Sequence, residues 1–159
     1  MTVKDVDTGL LDSEYFLDFL SKEVGNASMH GEPYSVIVCY PQRFSDEHLI
    51  EVVQAAAACV RELLRDEDVV GRLAEDVIAI GLPNTAPDGA RVLTYRLKGD
   101  LAIKTSHLRT SVWEAGYACL PDDGLTGTEL LEVAYDGAKH GRDARVPGSE
   151  LPPIPLGFD

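Results

Sequence analysis

Apolar residues fall in short blocks along this chain, and the clearest pair of blocks lies in its middle. Residues 69–73 (VVGRL) are apolar and largely β-branched, as are residues 77–82 (VIAIGL), which Pro83 closes. Ala74, Glu75 and Asp76 lie between them and bring two acids to an exposed tip, so the stretch predicts a hairpin. A hairpin this apolar needs helices packed against it. Upstream, residues 34–40 (YSVIVCY) are too short and too β-branched for a helix and apolar on both faces. They predict a central strand, ended by Pro41. Asp12-Ser13-Glu14 offers N-cap candidates with an acid in the first turn, and Phe16, Phe19, Leu20 and Val24 form the stripe of a first helix. Gly25-Asn26 reads as its C-cap. A second helix is expected over residues 45–65, capped by Ser45. Leu49, Val53, Ala56, Val60 and Leu63 fall on one of its faces.

Downstream of the hairpin, residues 83–88 read as a loop and residues 90–103 as a helix, with Gly99 a weak point in it. Residues 110–120 predict a strand kinked at Gly116. Thr126 and Glu129 form a capping box for a last helix reaching Lys139, and residues 142–146 read as a final edge strand. Four of the nine prolines crowd into residues 147–159, which predicts an extended or disordered tail. The middle of the chain is therefore β-α-β-β-α-β. That order predicts an α+β fold of the ferredoxin-like palm type, with a mainly antiparallel sheet of about five strands covered by helices on one face. It forms one domain over residues 1–147, followed by the tail at 148–159.

Composition narrows the function. The chain of 159 residues carries a formal net charge of −13, which argues against non-specific binding to nucleic acid or to an anionic membrane. No run is apolar enough to span a membrane, and the start shows no signal-peptide pattern, so a soluble, cytoplasmic protein is expected. Cys39, Cys59 and Cys119 are odd in number, far apart and set among apolar neighbours. They read as buried thiols. The four histidines show no ligand spacing.

Several motifs together resemble the GGDEF, or diguanylate cyclase, family. Asp5, Thr8, Gly9, Leu10, Phe16 and Leu20 are similar to that family's opening motif, with Asp7 standing where the family has Leu and Ser13-Glu14 where it has two arginines. Gly116, the PDDGLTGTELLEVA stretch and Gly141-Arg142 resemble its C-terminal segments. The resemblance implies a bacterial signalling domain and a catalytic site, and here the residues depart from the pattern. Cys39 falls where the family has a metal-binding Asp, and a thiol is a poor Mg²⁺ ligand. The signature hairpin reads Ala74-Glu75-Asp76-Val77-Ile78, which retains only Asp76 as a metal ligand and loses both glycines. The guanine-reading segment after the first strand is missing. A degenerate, catalytically inactive domain is expected, with no Mg²⁺ and no other cofactor.

The resemblance also implies a second site, the family's Arg-x-x-Asp inhibitory site for cyclic di-GMP. Arg65-Asp66-Glu67-Asp68 stands in that register, Arg72 precedes the hairpin tip as in the family, and Arg96 falls at the place of the further arginine. Arginine forks bind phosphate in bidentate fashion, and a carboxylate accepts from a guanine edge. The expected function is a cyclic di-GMP-responsive regulatory module acting through an unidentified protein partner, with a homodimer left open. The alternative is an interaction module that binds no nucleotide, favoured by the acidity of Asp66 and Glu67. On a bare pattern, Arg-x-x-Asp is also a common solvated pair at a helix end.

Overall fold

The computed structural model describes residues 3–42, 47–108 and 112–140. The edge strand at 142–146, the tail at 148–159 and Ser45 lie outside them, and the second helix begins at Leu49 with His48 at its N-cap, so it is not capped by Ser45. In chain order the elements are α1 (Ser13–His30), β1 (Tyr34–Pro41), α2 (Leu49–Leu63), β2 (Val69–Ala74), β3 (Val77–Pro83), α3 (Pro87–Thr105), a 3₁₀ turn at Ser106–Leu108, β4 (Trp113–Cys119) and α4 (Gly127–His140). Among the described residues the sheet has four strands in the order β2-β3-β1-β4, every neighbouring pair antiparallel.

β1 explains the architecture. Its side chains alternate between two apolar cores, as a strand's period of two requires. Tyr34, Val36 and Val38 join Phe16, Leu20 and Val24 of α1 and Leu130, Leu131 and Ala134 of α4. Ile37 and Cys39 join Val52, Val53, Ala56 and Val60 of α2 and Leu97 and Leu101 of α3. The helices therefore cover both faces of the sheet, not one. A single helix face per element does not say which side of the sheet it meets; two-sided burial of β1 and β3 does.

Local chemistry sets the helix ends. Asp12 caps α1 by accepting from the Tyr15 N–H at 2.9 Å. The helix runs through Gly25-Asn26 and stops at Gly31, whose φ of +65° glycine adopts most readily. Burial of Val24 and Ala27 carries it past the earlier glycine. α2 ends at Leu63 because Leu64 is extended, so Arg65 lies beyond the helix. α3 starts earlier than the apolar pattern indicates, with Pro87 in its first turn, where the missing N–H costs nothing. The Thr126–Glu129 capping box forms: Glu129 N–H donates to Thr126 Oγ1 at 3.1 Å, and Thr126 N–H donates to Glu129 Oε1 at 3.2 Å.

Gly116 is where β4 meets α4. A Cβ there would collide with the Ala134 carbonyl oxygen, the Ala138 nitrogen and the Gly137 carbonyl carbon, all of them backbone. Gly116→Ala should therefore lower stability by about 1–3 kcal/mol or more, read as a drop in melting temperature. Gly25→Ala, with nothing within 4 Å of its new methyl group, should hold or raise it.

Candidate functional site

The hairpin joins β2 to β3 through Glu75 and Asp76 alone, as the pattern predicts. Its tip borders an open cleft of about 530 Å³ lined by Asp5, Asp7, Asp12, Ile50, Arg72 and Glu75 among others. Arg72 supplies the guanidinium there, and that group is taken. Its Nη1 donates to Asp5 at 3.0 Å and to Asp7 at 3.0 Å, and its Nη2 donates to the Glu75 carbonyl at 2.8 Å. The side chain is 10% exposed. Arg72 thus fastens residues 5–7 to the hairpin tip. The segment it fastens is itself folded: Asp5 accepts from Thr8 N–H and Oγ1 at 2.9 and 2.8 Å, and Gly9 has a φ of +74°. Arg61 donates to the Thr8 carbonyl at 2.7 Å, and it is the positive φ, more than contact with the movable end of Arg61, that favours glycine at position 9.

Cys39 is wholly buried in the core between β1 and α2–α3, opposite Ile78 of β3. Burial, with Cys59 nearby, pushes its thiol up to about 12, so at neutral pH it offers no thiolate. Around Asp76 the phenols are also held neutral. Burial first, then the charges of neighbours that include Asp76, raises Tyr40 to about 12 and raises Tyr135. Val77 and Ile78, which follow the tip, are core residues.

The Arg65 corner has a different character. Residues 65–68 form a turn closed by the Asp68 N–H donating to the Arg65 carbonyl at 3.1 Å. Arg65 forks onto the Asp68 carboxylate, Nε at 3.2 Å and Nη2 at 2.8 Å, while Asp68 also accepts from the Arg65 N–H at 2.9 Å. Nη2 reaches on to the Pro83 carbonyl and Thr85 Oγ1, both at 2.9 Å. The Arg65 side chain is 45% exposed, and the Asp68 side chain is 2% exposed. Hydrogen bonding to Asp68 raises the Arg65 guanidinium above its ordinary value against the opposing effect of burial.

The predicted residues are therefore split. Arg65 and Asp68 meet directly. Arg72 is engaged at the hairpin tip with Asp5 and Asp7. Arg96 stands on α3, its side chain 68% exposed and 3.8 Å from Asp100. Sequence reasoning missed Thr85 and the Pro83 carbonyl, which no motif marks, and it noted Asp7 only as a departure from the family, not as a partner of Arg72.

An antiparallel sheet in the order β2-β3-β1-β4, helices on both faces and a two-residue hairpin beside an N-terminal loop define a ferredoxin-like palm with added helices. The sequence matches the family described as diguanylate cyclase, GGDEF domain, over residues 2–141, and the chain belongs to that family. No curated protein matches it. Among solved structures it is similar to the GGDEF domain of FimX from Pseudomonas aeruginosa, with 18% identity, a TM-score of 0.74, and coverage of 91% of this chain and 94% of that one. The GGDEF domain of TpbB (YfiN) from the same organism shares 24% identity at a TM-score of 0.70, covering 88% of each chain. The GGDEF domain of DgcB from Caulobacter crescentus, solved in complex with c-di-GMP, shares 16% identity at a TM-score of 0.70, covering 89% of this chain and 90% of that one. At these identities the likeness shows the fold. Among the described residues no helix is long and apolar enough to cross a membrane.

Cys39, where the resemblance implies a metal-binding carboxylate, is a buried neutral thiol, and Mg²⁺ takes hard oxygen ligands, so this residue does not fit that ion.

The Arg72 clasp has a pH signature. Burial alone would raise the Asp5 carboxyl, but hydrogen bonds from Thr8 and Arg72, with the Arg72 charge, outweigh it and hold the group below 3.8. Its stabilisation is thus present above the ordinary carboxylate range and lost as pH falls through the lowered value. Arg72→Met should cost about 2 kcal/mol at neutral pH. In thermal melts the gap between wild type and variant should narrow below about pH 4. A gap independent of pH would mean that Asp5 is not the partner that matters.

Proposed function

We propose that this domain is a non-catalytic GGDEF module of cyclic di-GMP signalling that binds the dinucleotide at the Arg65 corner and acts through a protein partner. Cys39 carries the first half of this reading. Metal-assisted phosphoryl transfer needs two carboxylates clamping Mg²⁺ on a triphosphate. One of those positions is a thiol with no exposed surface, and Glu75 adds a negative charge at the hairpin tip beside the acids of the cleft.

The ligand half is supported by the corner itself. Cyclic di-GMP brings two phosphate charges to a chain of net charge −13, so local guanidinium groups have to hold it. Arg65 is half-exposed and braced by the Pro83 carbonyl and Thr85, and Arg96 projects from the following helix. The DgcB domain was solved with this dinucleotide.

One observation favours the second reading, an interaction module that binds no nucleotide. The Asp68 carboxylate is buried under Arg65 with both oxygens occupied. It has to leave that fork before it accepts from a guanine edge.

Calorimetry with cyclic di-GMP tests the choice. Saturable binding is expected, weakened about tenfold or more by Arg65→Ala and by Arg96→Ala, since each charge-assisted contact is worth about 1.5–3 kcal/mol. Arg65→Lys should restore only part, because lysine keeps the charge without the fork. Lys22→Ala, on the far helix α1, should change nothing. No heat and no competition at saturating dinucleotide would place the chain with the second reading.

A further inference from the structure

We infer that the outward face of α3 is a docking site for an acidic amphipathic helix of a partner protein. Three large apolar side chains project from that face: Val92, Tyr95 and Ile103, exposed by 63%, 74% and 72%. Their spacing puts them in one stripe along the helix. Arg96, 3.8 Å from Asp100, lies beside the stripe on one side, and on the other Arg91, 3.6 Å from Asp88, and Lys98 share with Tyr95 a cleft against β4 that Glu114 also lines. The buried side of the same helix is already served by Ala90, Leu97 and Leu101. The fold needs only that side, so the second apolar stripe has no role in it.

Gly99 gives an independent sign. It sits within this stripe, between Tyr95 and Ile103, and a Cβ added there would meet nothing within 4 Å. Glycine in a helix interior is less stable than alanine. The fold gains no close packing in return, unlike at Gly116. A notch between two large apolar residues is what lets the backbone of a second helix come close.

Charge selects the partner. α3 carries Arg91, Arg96, Lys98 and Lys104 against Asp88 and Asp100, whereas α1, α2 and α4 each hold more acids than bases. The basic helix thus lies on a chain of net charge −13. A symmetric pairing of two α3 faces would set Arg91, Arg96 and Lys98 against their own copies, which opposes a homodimer here. An anionic membrane would meet the same basic helix but also the acidity of the whole. A helix with an apolar ridge flanked by Asp and Glu meets both the stripe and its borders. Arg96 is common to this face and to the proposed dinucleotide site, whereas the apolar stripe and Gly99 belong to this face alone.

The test is selection of displayed amphipathic helical peptides on the purified full chain. Enriched peptides should carry acids flanking an apolar stripe, and their binding should weaken as salt rises. Tyr95→Ser should cost at least about tenfold in affinity, and Gly99→Leu should abolish binding while leaving the melting temperature unchanged or higher. Three results would overturn the inference: enrichment of basic or uncharged peptides, or of none; binding indifferent to Gly99→Leu; or, in parallel assays, self-association or capture by phosphatidylglycerol vesicles that Gly99→Leu removes.

Discussion

Burial of β1 on both faces is the constraint from which the rest of the structure follows. A strand whose every second residue serves one core and whose remaining residues serve the other leaves almost no place for a charge. Ser35 illustrates the limit: wholly buried, it is tolerated because its hydroxyl bonds the Thr85 carbonyl at 2.7 Å and Cys119 Sγ at 3.1 Å. Cys39 meets the same demand as a small apolar side chain. Position 39 thus contributes to packing between β1 and α2, and the thiol that suits the core is what disqualifies it as a ligand for a hard cation.

The hairpin tip is likewise committed to holding the fold. Its arginine, its two N-terminal acids and a backbone carbonyl make a nearly closed set of charge-assisted bonds. These bonds tie together segments that lie more than sixty residues apart in sequence. Such a set is strong because each charge has its partner and little water reaches Arg72. It also occupies the one cation that faces the cleft among its described lining residues. A catalytic tip needs flexible backbone and free charge near a nucleotide; this one carries the side chains of Ala74 and Glu75, and its arginine is engaged in holding the N-terminal loop. The Arg65 corner is the less committed of the two, because its guanidinium remains half-exposed while its carboxylate partner does not.

Much of this was legible in the sequence wherever the cause is local. Asp12 and the Thr126–Glu129 box announce helix starts because the bonds they make span three residues. The hairpin and β1 announce themselves by apolar blocks of strand length. Gly25 misleads because glycine marks a helix end only when the chain needs a positive φ, and the packing of Val24 and Ala27 removes that need. The two-faced cover of the sheet was not legible, since each helix shows its own apolar side but not the layer it joins. At the site, the Arg65–Asp68 pair could be read from its spacing, although it forms a turn and not a helix end. The pairing of Arg72 with Asp5 and Asp7 could not, because nothing local links residues 65 and 67 positions apart. The apolar outer stripe of α3 hid behind the buried one on the same helix.

The central claim, that the packed thiol and the acidic tip have replaced a catalytic centre, is tested most directly by turnover. The purified chain, incubated with GTP and either Mg²⁺ or Mn²⁺, should yield no cyclic di-GMP above a protein-free blank by chromatography. Metal-dependent product formation that Asp76→Ala abolishes would contradict the account.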